Sequence, residues 1–268
     1  MEASARPPVV TFTTDFGLLD HYVGTMKGVV LSRCPDARLV DISHEIAPFS
    51  IYAGAYMVDQ AAPYFPSGTV HLVIVDPGVG TPRKPILAEA LGQIFIAPDN
   101  GVLSRIFARD RQTRVREITN RSLWLENPSE TFHGRDIFAA TAGVIAGGTA
   151  KVQEVGPELR QFEKLTELEP TEIVPGVWQG RILNIDRFGN TITNFLSARF
   201  PTAAQERFCL SIGEHQVRAF RKAFGLAAPG ECFAYFGSSG YIEIGINQRS
   251  AAERLGAMPG GQVQLRLL

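Results

Sequence analysis

Through the first half of the chain, short runs of β-branched and apolar residues alternate with segments whose apolar residues recur at helical spacing. Val9-Val10-Thr11-Phe12-Thr13, Ala37 to Ile42 and Thr69 to Val75 read as buried strands. Between them, Asp20 to Cys34 reads as a helix with an acidic cap candidate, ending before Pro35. Ile51 to Ala62 reads as a second helix, stopping near Pro63. Strands at Ile86 to Ala90 and Gln93 to Ala97 meet through Leu91-Gly92, and a helix follows from Gly101. Arg114 to Ile118 is strand-like, and Asp136 to Ala146 is an Ala-rich helix ended by Gly147-Gly148. This alternation predicts an α/β layered domain with a mostly parallel sheet over residues 1–160.

The pattern then changes. Residues 161–176 carry several Glu and two Pro with little periodicity, which suits a linker. Residues 177–268 hold short, closely spaced strands: Gln179 to Ile185, Thr191 to Phe195, Phe208 to Ile212, Gln216 to Phe220, Cys232 to Phe236, Tyr241 to Ile246 and Gln262 to Leu268. Turn segments such as Asp186-Arg187-Phe188-Gly189-Asn190 separate them, and a short helix, Ser250 to Leu255, interrupts them. The expected architecture is a small antiparallel β-barrel.

A length of 268 residues accommodates one large or two modest domains. The net charge of −1, with basic residues scattered rather than striped, gives no electrostatic footprint for nucleic acid or an anionic membrane. No run approaches the length of a membrane-spanning helix, and Met1 to Pro8 lacks the basic patch and apolar run of a signal peptide. Cys34, Cys209 and Cys232 form no CxxC pair and read as small buried hydrophobes in a reducing compartment. A soluble, cytoplasmic protein is expected.

In an open α/β sheet, ligands bind beyond the carboxyl ends of the strands. Three acidic residues stand there: Asp15 after the first strand, Asp76 in Asp76-Pro77-Gly78-Val79-Gly80-Thr81-Pro82-Arg83, and Asp99 in Asp99-Asn100-Gly101. Each has a bland alternative as a helix cap or turn former, and for Asp99 that reading leads. The two glycines after Asp76 are a weak nucleotide fingerprint. A fourth cluster, Thr131-Phe132-His133-Gly134-Arg135-Asp136, enters the Ala-rich helix, where Asp136 suits a cap and a lone His133 is ordinarily structural. No HxxxH, HxH or HExxH occurs, so no histidine metal centre is expected, and no GxSxG elbow marks a serine hydrolase.

Taken together, these motifs resemble a known family. Thr13-Thr14-Asp15-Phe16-Gly17, Tyr22 to Gly28, Asp76-Pro77-Gly78-Val79-Gly80, Ala97 to Gly101 and Thr131 to Asp136 look like the adenosine-forming S-adenosyl-L-methionine hydrolases, of the superfamily that also holds the fluorinase and chlorinase. Ile185 to Asn190, Ser238-Ser239-Gly240-Tyr241 and Ile246-Asn247-Gln248 match in the second half. The resemblance implies a catalytic triad of Asp76, Arg83 and His133 holding a water for attack on C5′. In the halogenases the first position is a Tyr and the third a small residue. Whether Asp76 acts as base or only orients the water stays open at this point. The resemblance further implies substrate contacts from Asp15 to the ribose hydroxyls, from Phe49 to the sugar and from Tyr22. It assigns Asp186 to the methionine ammonium, Ser238 and Ser239 to its carboxylate, and Asn190, Asn247 and Gln248 to adenine. Ser239 departs from the halogenases, which carry Arg there. Phe188 reads as pocket wall or, more safely, barrel core. No cofactor or metal is implied. A homotrimer with sites at subunit interfaces is expected, and S-adenosylmethionine binding without turnover is the alternative function.

Overall fold

The computed structural model describes residues 6–205 and 207–268, and the chain divides into two compact units, Met1–Leu165 and Thr166–Leu268. Of the leader reading over residues 1–8, the first five positions lie outside the described residues.

The first unit runs β1 (Val9–Thr14), α1 (Tyr22–Arg33), β2 (Arg38–Ser43), α2 (Ile51–Ala61), β3 (Val70–Ile74), β4 (Pro85–Ala90), β5 (Gln93–Pro98), α3 (Ser104–Arg109), β6 (Arg114–Glu117) and α4 (Ala140–Ala146). Its sheet has the order β2-β1-β3-β5-β4-β6. The first four of these strands are parallel, and β4 lies antiparallel between β5 and β6. Successive strand residues face opposite sides of a sheet, so a strand buried on both faces is apolar throughout. Accordingly Val70, Leu72 and Ile74 pack with Met26, Val30, Phe138 and Ala142 on one face, under α1 and α4. Val73, Val75, Phe95 and Ala97 pack with Ala53, Val58 and Ile106 on the other, under α2 and α3. This is the layered α/β sheet that the alternation predicts.

Three local details differ from expectation. The cap of α1 is His21, and no side chain caps it; Asp20 stands one residue too early to reach the first free amides. The helix expected from Gly101 starts only at Ser104, because Asn100 and Gly101 form a turn in which Asn100 Oδ1 accepts from Val102 N at 3.1 Å. The Ala-rich helix opens as a π-helical stretch, Gly134–Ala139, before α4. Asp136 lies inside that stretch and caps nothing: its Oδ2 accepts from Ser129 N at 2.8 Å and it pairs with Arg135.

Residues 161–176 are tied down along much of their length. Glu163 N donates to Asp99 Oδ1 at 2.8 Å and Leu165 N to Ser104 Oγ at 2.7 Å. Further on, β7 (Thr171–Val174) pairs antiparallel with β8 (Val177–Ile185). The second unit continues with β9 (Thr191–Leu196), β10 (Phe208–Ile212), β11 (His215–Val217), β12 (Cys232–Phe236), β13 (Tyr241–Ile246), α5 (Ala251–Leu255) and β14 (Gln262–Leu267). Strand order is β11-β10-β14-β8-β9-β13-β12, with antiparallel pairings. A bridge from Phe220 to Ala234 of β12 joins the two ends of that order and nearly closes the barrel. Phe195, Phe208, Leu210, Ile242, Ile244 and Leu265 fill it. Helix α5 is bounded locally: Ser250 Oγ accepts from Glu253 N at 3.1 Å, and Gly256 takes the left-handed conformation at its end. Cys34 and Cys209 are buried, Cys232 is half-buried, and all three are free thiols.

Candidate active site

The neighbouring parallel strands β1, β3 and β5 place Asp15, Asp76 and Asp99 beyond their carboxyl ends. Asp99 serves the backbone, as its turn chemistry suggests, by holding Glu163 N. Asp15 Oδ2 accepts from Phe49 N at 2.8 Å. Phe49 is held at φ +67°, a left-handed conformation that is unusual for a large side chain, and its ring is 71% exposed. Burial pushes the Asp15 carboxyl above its ordinary range; the Phe49 amide opposes that, and the charge of Asp76 adds to it. Asp15 and Asp76 therefore sense one another across the strand ends.

Asp76 and Arg83 are joined as a fork, with Arg83 Nε 3.0 Å from both carboxylate oxygens and Arg83 Nη2 bonded to Asp76 Oδ2. Arg83 Nη2 also lies 2.9 Å from His133 Nδ1. The guanidinium thus bridges the two other members of the triad, and both Asp76 and Arg83 side chains are more than nine-tenths buried. A guanidinium has donors only, so His133 Nδ1 must accept, and a neutral ring then carries its proton on Nε2. Burial, and after it the Arg83 charge, push the His133 pKa below its usual value, so the ring is neutral at pH 7. Arg83 also stacks over Phe138, 5.1 Å from the ring centroid.

The loop between Asp76 and Arg83 is held close to the His133 loop. Gly80 adopts φ +78°, and a Cβ there would come 2.9 Å from the Glu130 carbonyl oxygen. Tyr22, Phe16 and Phe132 form an aromatic wall at the start of α1, with ring centroids 5.1 to 6.1 Å apart. Gly134 keeps that wall in contact with α1: a Cβ there would meet Met26 Sδ at 3.3 Å and Phe16 at 3.4 Å.

The second unit has its own cavity, of about 700 Å³, lined by Asp186, Phe188, Asn190, Ser238 and Gln248 among others. Asp186 Oδ1 accepts from the amides of Phe188 and Asn190, both at 2.9 Å, and Oδ2 from Asn190 Nδ2 at 2.8 Å. This carboxylate therefore folds the 186–190 turn as well as facing the cavity. Phe188 is 79% exposed, so the core reading is corrected: Gly189, at φ +81°, turns the chain outward and leaves the ring as cavity wall. Two of the expected contact residues hold bonds within the chain. Asn247 Nδ2 donates to Ala227 O at 2.7 Å and does not line the cavity; Ser239 Oγ donates to Glu243 Oε1 at 3.0 Å.

Glu243, Tyr235 and Phe224 line the same cavity and were not singled out in the sequence. One signal was available for Glu243, which is the lone charge in the otherwise apolar run of β13, Tyr241-Ile242-Glu243-Ile244-Gly245-Ile246. Among the described residues no group of three or more His, Cys, Asp or Glu side chains is arranged to hold a metal ion, and no helix is long and apolar enough to cross a membrane.

Comparison with known proteins places the whole chain in one family. Residues 10–156 match the model of the SAM hydroxide adenosyltransferase N-terminal domain, and residues 180–264 match that of its C-terminal domain. A Thermus thermophilus protein named (R)-S-adenosyl-L-methionine hydrolase is 38% identical, across 96% of this chain and 98% of its own length. A Salinispora tropica protein of the same name is 34% identical, across 97% and 98%. Proteins named fluorinase match at 25 to 30% identity. A crystal structure of an uncharacterized conserved protein from Thermotoga maritima superposes with a TM-score of 0.86 at 35% identity, covering 96% of this chain and 99% of the other. With both domain models matched in order along one chain, the protein belongs to the SAM hydroxide adenosyltransferase family.

Proposed function

We propose that the chain is a hydrolase that cleaves S-adenosyl-L-methionine with water, giving adenosine and L-methionine. The observation that carries this reading is the single guanidinium of Arg83 tying Asp76 to His133. Water attacks C5′ in line with the C5′–S bond, and the electron pair of that bond leaves on sulfur as a neutral thioether. The attacking water loses one proton to solvent by way of Asp76. Positioning of this kind contributes on the order of 7–11 kcal/mol when the geometry is near attack. The forked ion pair fixes the Asp76 carboxylate, and a lone pair outside the fork is available to a water. His133, with its proton on Nε2, donates rather than accepts. Because a partly anionic nucleophile meets a cation, charge is cancelled in the transition state, and a site that excludes bulk water favours the reaction.

Asp15 and the Phe49 and Tyr22 rings are assigned to the ribose side, and the cavity of the second unit to the amino-acid and adenine ends through Asp186, Ser238, Asn190, Phe188 and Gln248. A homotrimer with sites at subunit interfaces belongs to the same proposal, and sedimentation analysis reads it directly. A halogenase reading is disfavoured by Asp76 and His133, where halogenases are expected to have Tyr and a small residue. The test is incubation of the purified protein with S-adenosylmethionine, without added metal, followed by chromatography. Adenosine and methionine in equal amounts are expected. Binding by calorimetry with no adenosine above background would point instead to a binding protein without turnover.

A further inference from the structure

Glu243 is 7% exposed, yet its carboxylate faces the cavity of the second unit. Its partners are neutral: Tyr235 Oη donates to Oε2 at 2.6 Å and Ser239 Oγ to Oε1 at 3.0 Å. Among the described residues no basic side chain forms an ion pair with it. Arg249 lines the same cavity, but no hydrogen bond or ion pair joins the two. The acidic neighbour is Asp186, whose charge adds to burial in pushing the Glu243 carboxyl upward, while the two hydroxyls oppose that push. The fold makes room for this arrangement at some cost: a Cβ on Gly237 would lie 1.8 Å from Glu243 Oε1.

A buried carboxylate is normally paired with a cation, because desolvation without compensation is expensive. Here two carboxylates share one cavity wall, and the donors that serve them are hydroxyls, amides and one carboxamide. Such a site is incomplete until a cation enters it. We propose that Glu243 is a specificity-determining residue that, beside Asp186, seats the primary ammonium of the substrate's amino-acid end. The assignment rests on the hydrolase reading and adds a residue to it. Seating a cation between two acids favours amino-acid sulfoniums over adenosyl sulfoniums that lack the amine.

The test crosses two proteins with two ligands. Calorimetric affinities of wild type and Glu243→Gln are measured for S-adenosylmethionine and for 5′-dimethylsulfonio-5′-deoxyadenosine, which keeps the sulfonium but lacks the amino acid. Glu243→Gln should weaken the first by about 10- to 100-fold, the range of a hydrogen bond to a charged group. It should change the second by less than about twofold, within the additivity error of an uncoupled site. Glu243→Asp, which keeps the charge on a shorter stem, should fall between wild type and Glu243→Gln for S-adenosylmethionine alone. Equal weakening of both ligands would mean a merely structural role and overturn the proposal, as would no weakening of either. Those outcomes leave the hydrolase reading intact if adenosine still forms. Failure of wild type to bind S-adenosylmethionine would overturn both.

Discussion

Asp76, in the first unit, and Glu243, in the second, are partnered in opposite ways. In the first, Asp76 is answered by the Arg83 fork, Asp136 by Arg135, and the wholly buried Asp59 by Arg105 and Arg109. In the second, Asp186 and Glu243 have only neutral donors. A closed set of ion pairs fixes geometry, which suits groups that must aim a water. An acid left without a counter-ion holds affinity in reserve for a cationic ligand. The difference suits Asp76 to aiming a water and Glu243 to recognising a cation, and each active-site variant below is expected to touch one of these two roles.

The largest effect is expected from Asp76→Asn, which should lower kcat by about 10²–10⁴-fold, as for loss of a positioned acid–base group, with little change in KM. Adenosine release under saturating substrate measures it, and equal rates would remove Asp76 from the mechanism. Next, Arg83→Lys replaces a bridge by a point charge that cannot serve Asp76 and His133 together. A loss of about 10²–10³ in kcat is expected, with S-adenosylmethionine affinity retained. Affinity lost in parallel would break the division of labour.

A stability effect in the first unit comes third. His71 is wholly buried, accepts or donates at 2.7 Å with Thr11 Oγ1, and stacks on Phe95. Burial lowers its pKa to about 4. The unfolded chain, with an ordinary histidine pKa near 6.5, therefore binds the proton first. The contribution of neutral His71 is complete above about pH 6.5 and is lost as pH falls toward about 4, by about 3 kcal/mol in all. Urea unfolding between those pH values should show this acid limb, and His71→Asn should flatten it. The smallest effect is expected from Asp186→Asn, which should raise KM about tenfold with kcat nearly unchanged, one charged hydrogen bond being of that order. A kcat collapse there would show that the second unit takes part in the chemistry itself.

The strands of both units were legible because their patterning is simple. Val70 to Ile74 is apolar but for His71 and buried on both faces, and the barrel strands are short and punctuated by glycine turns. The π-helical opening at Gly134 was not legible, since an extra residue per turn leaves no periodic mark in so small and Ala-rich a segment. Strand β7 escaped because all four of its residues are exposed and two Pro flank it. At the site, Asp76 was readable as an acid beyond a strand end, and the family resemblance singled out Arg83 and His133. The bonds of Asn247 to Ala227 and of Ser239 to Glu243 were not legible, because the sequence does not say which side of a turn an amide or hydroxyl faces. Glu243 went unnoticed because a lone acid in a strand ordinarily points to water, whereas this one points to the hydroxyls of Tyr235 and Ser239.

The Arg83–His133 bond has one more consequence. An imidazole whose first nitrogen is occupied by a guanidinium works like the NH of a carboxamide: it can steady an oxygen atom, yet it has no vacancy for an incoming hydron. Burial and the Arg83 charge hold the pKa of this ring below its usual value, so an acid limb at the ordinary histidine pKa is not expected from His133.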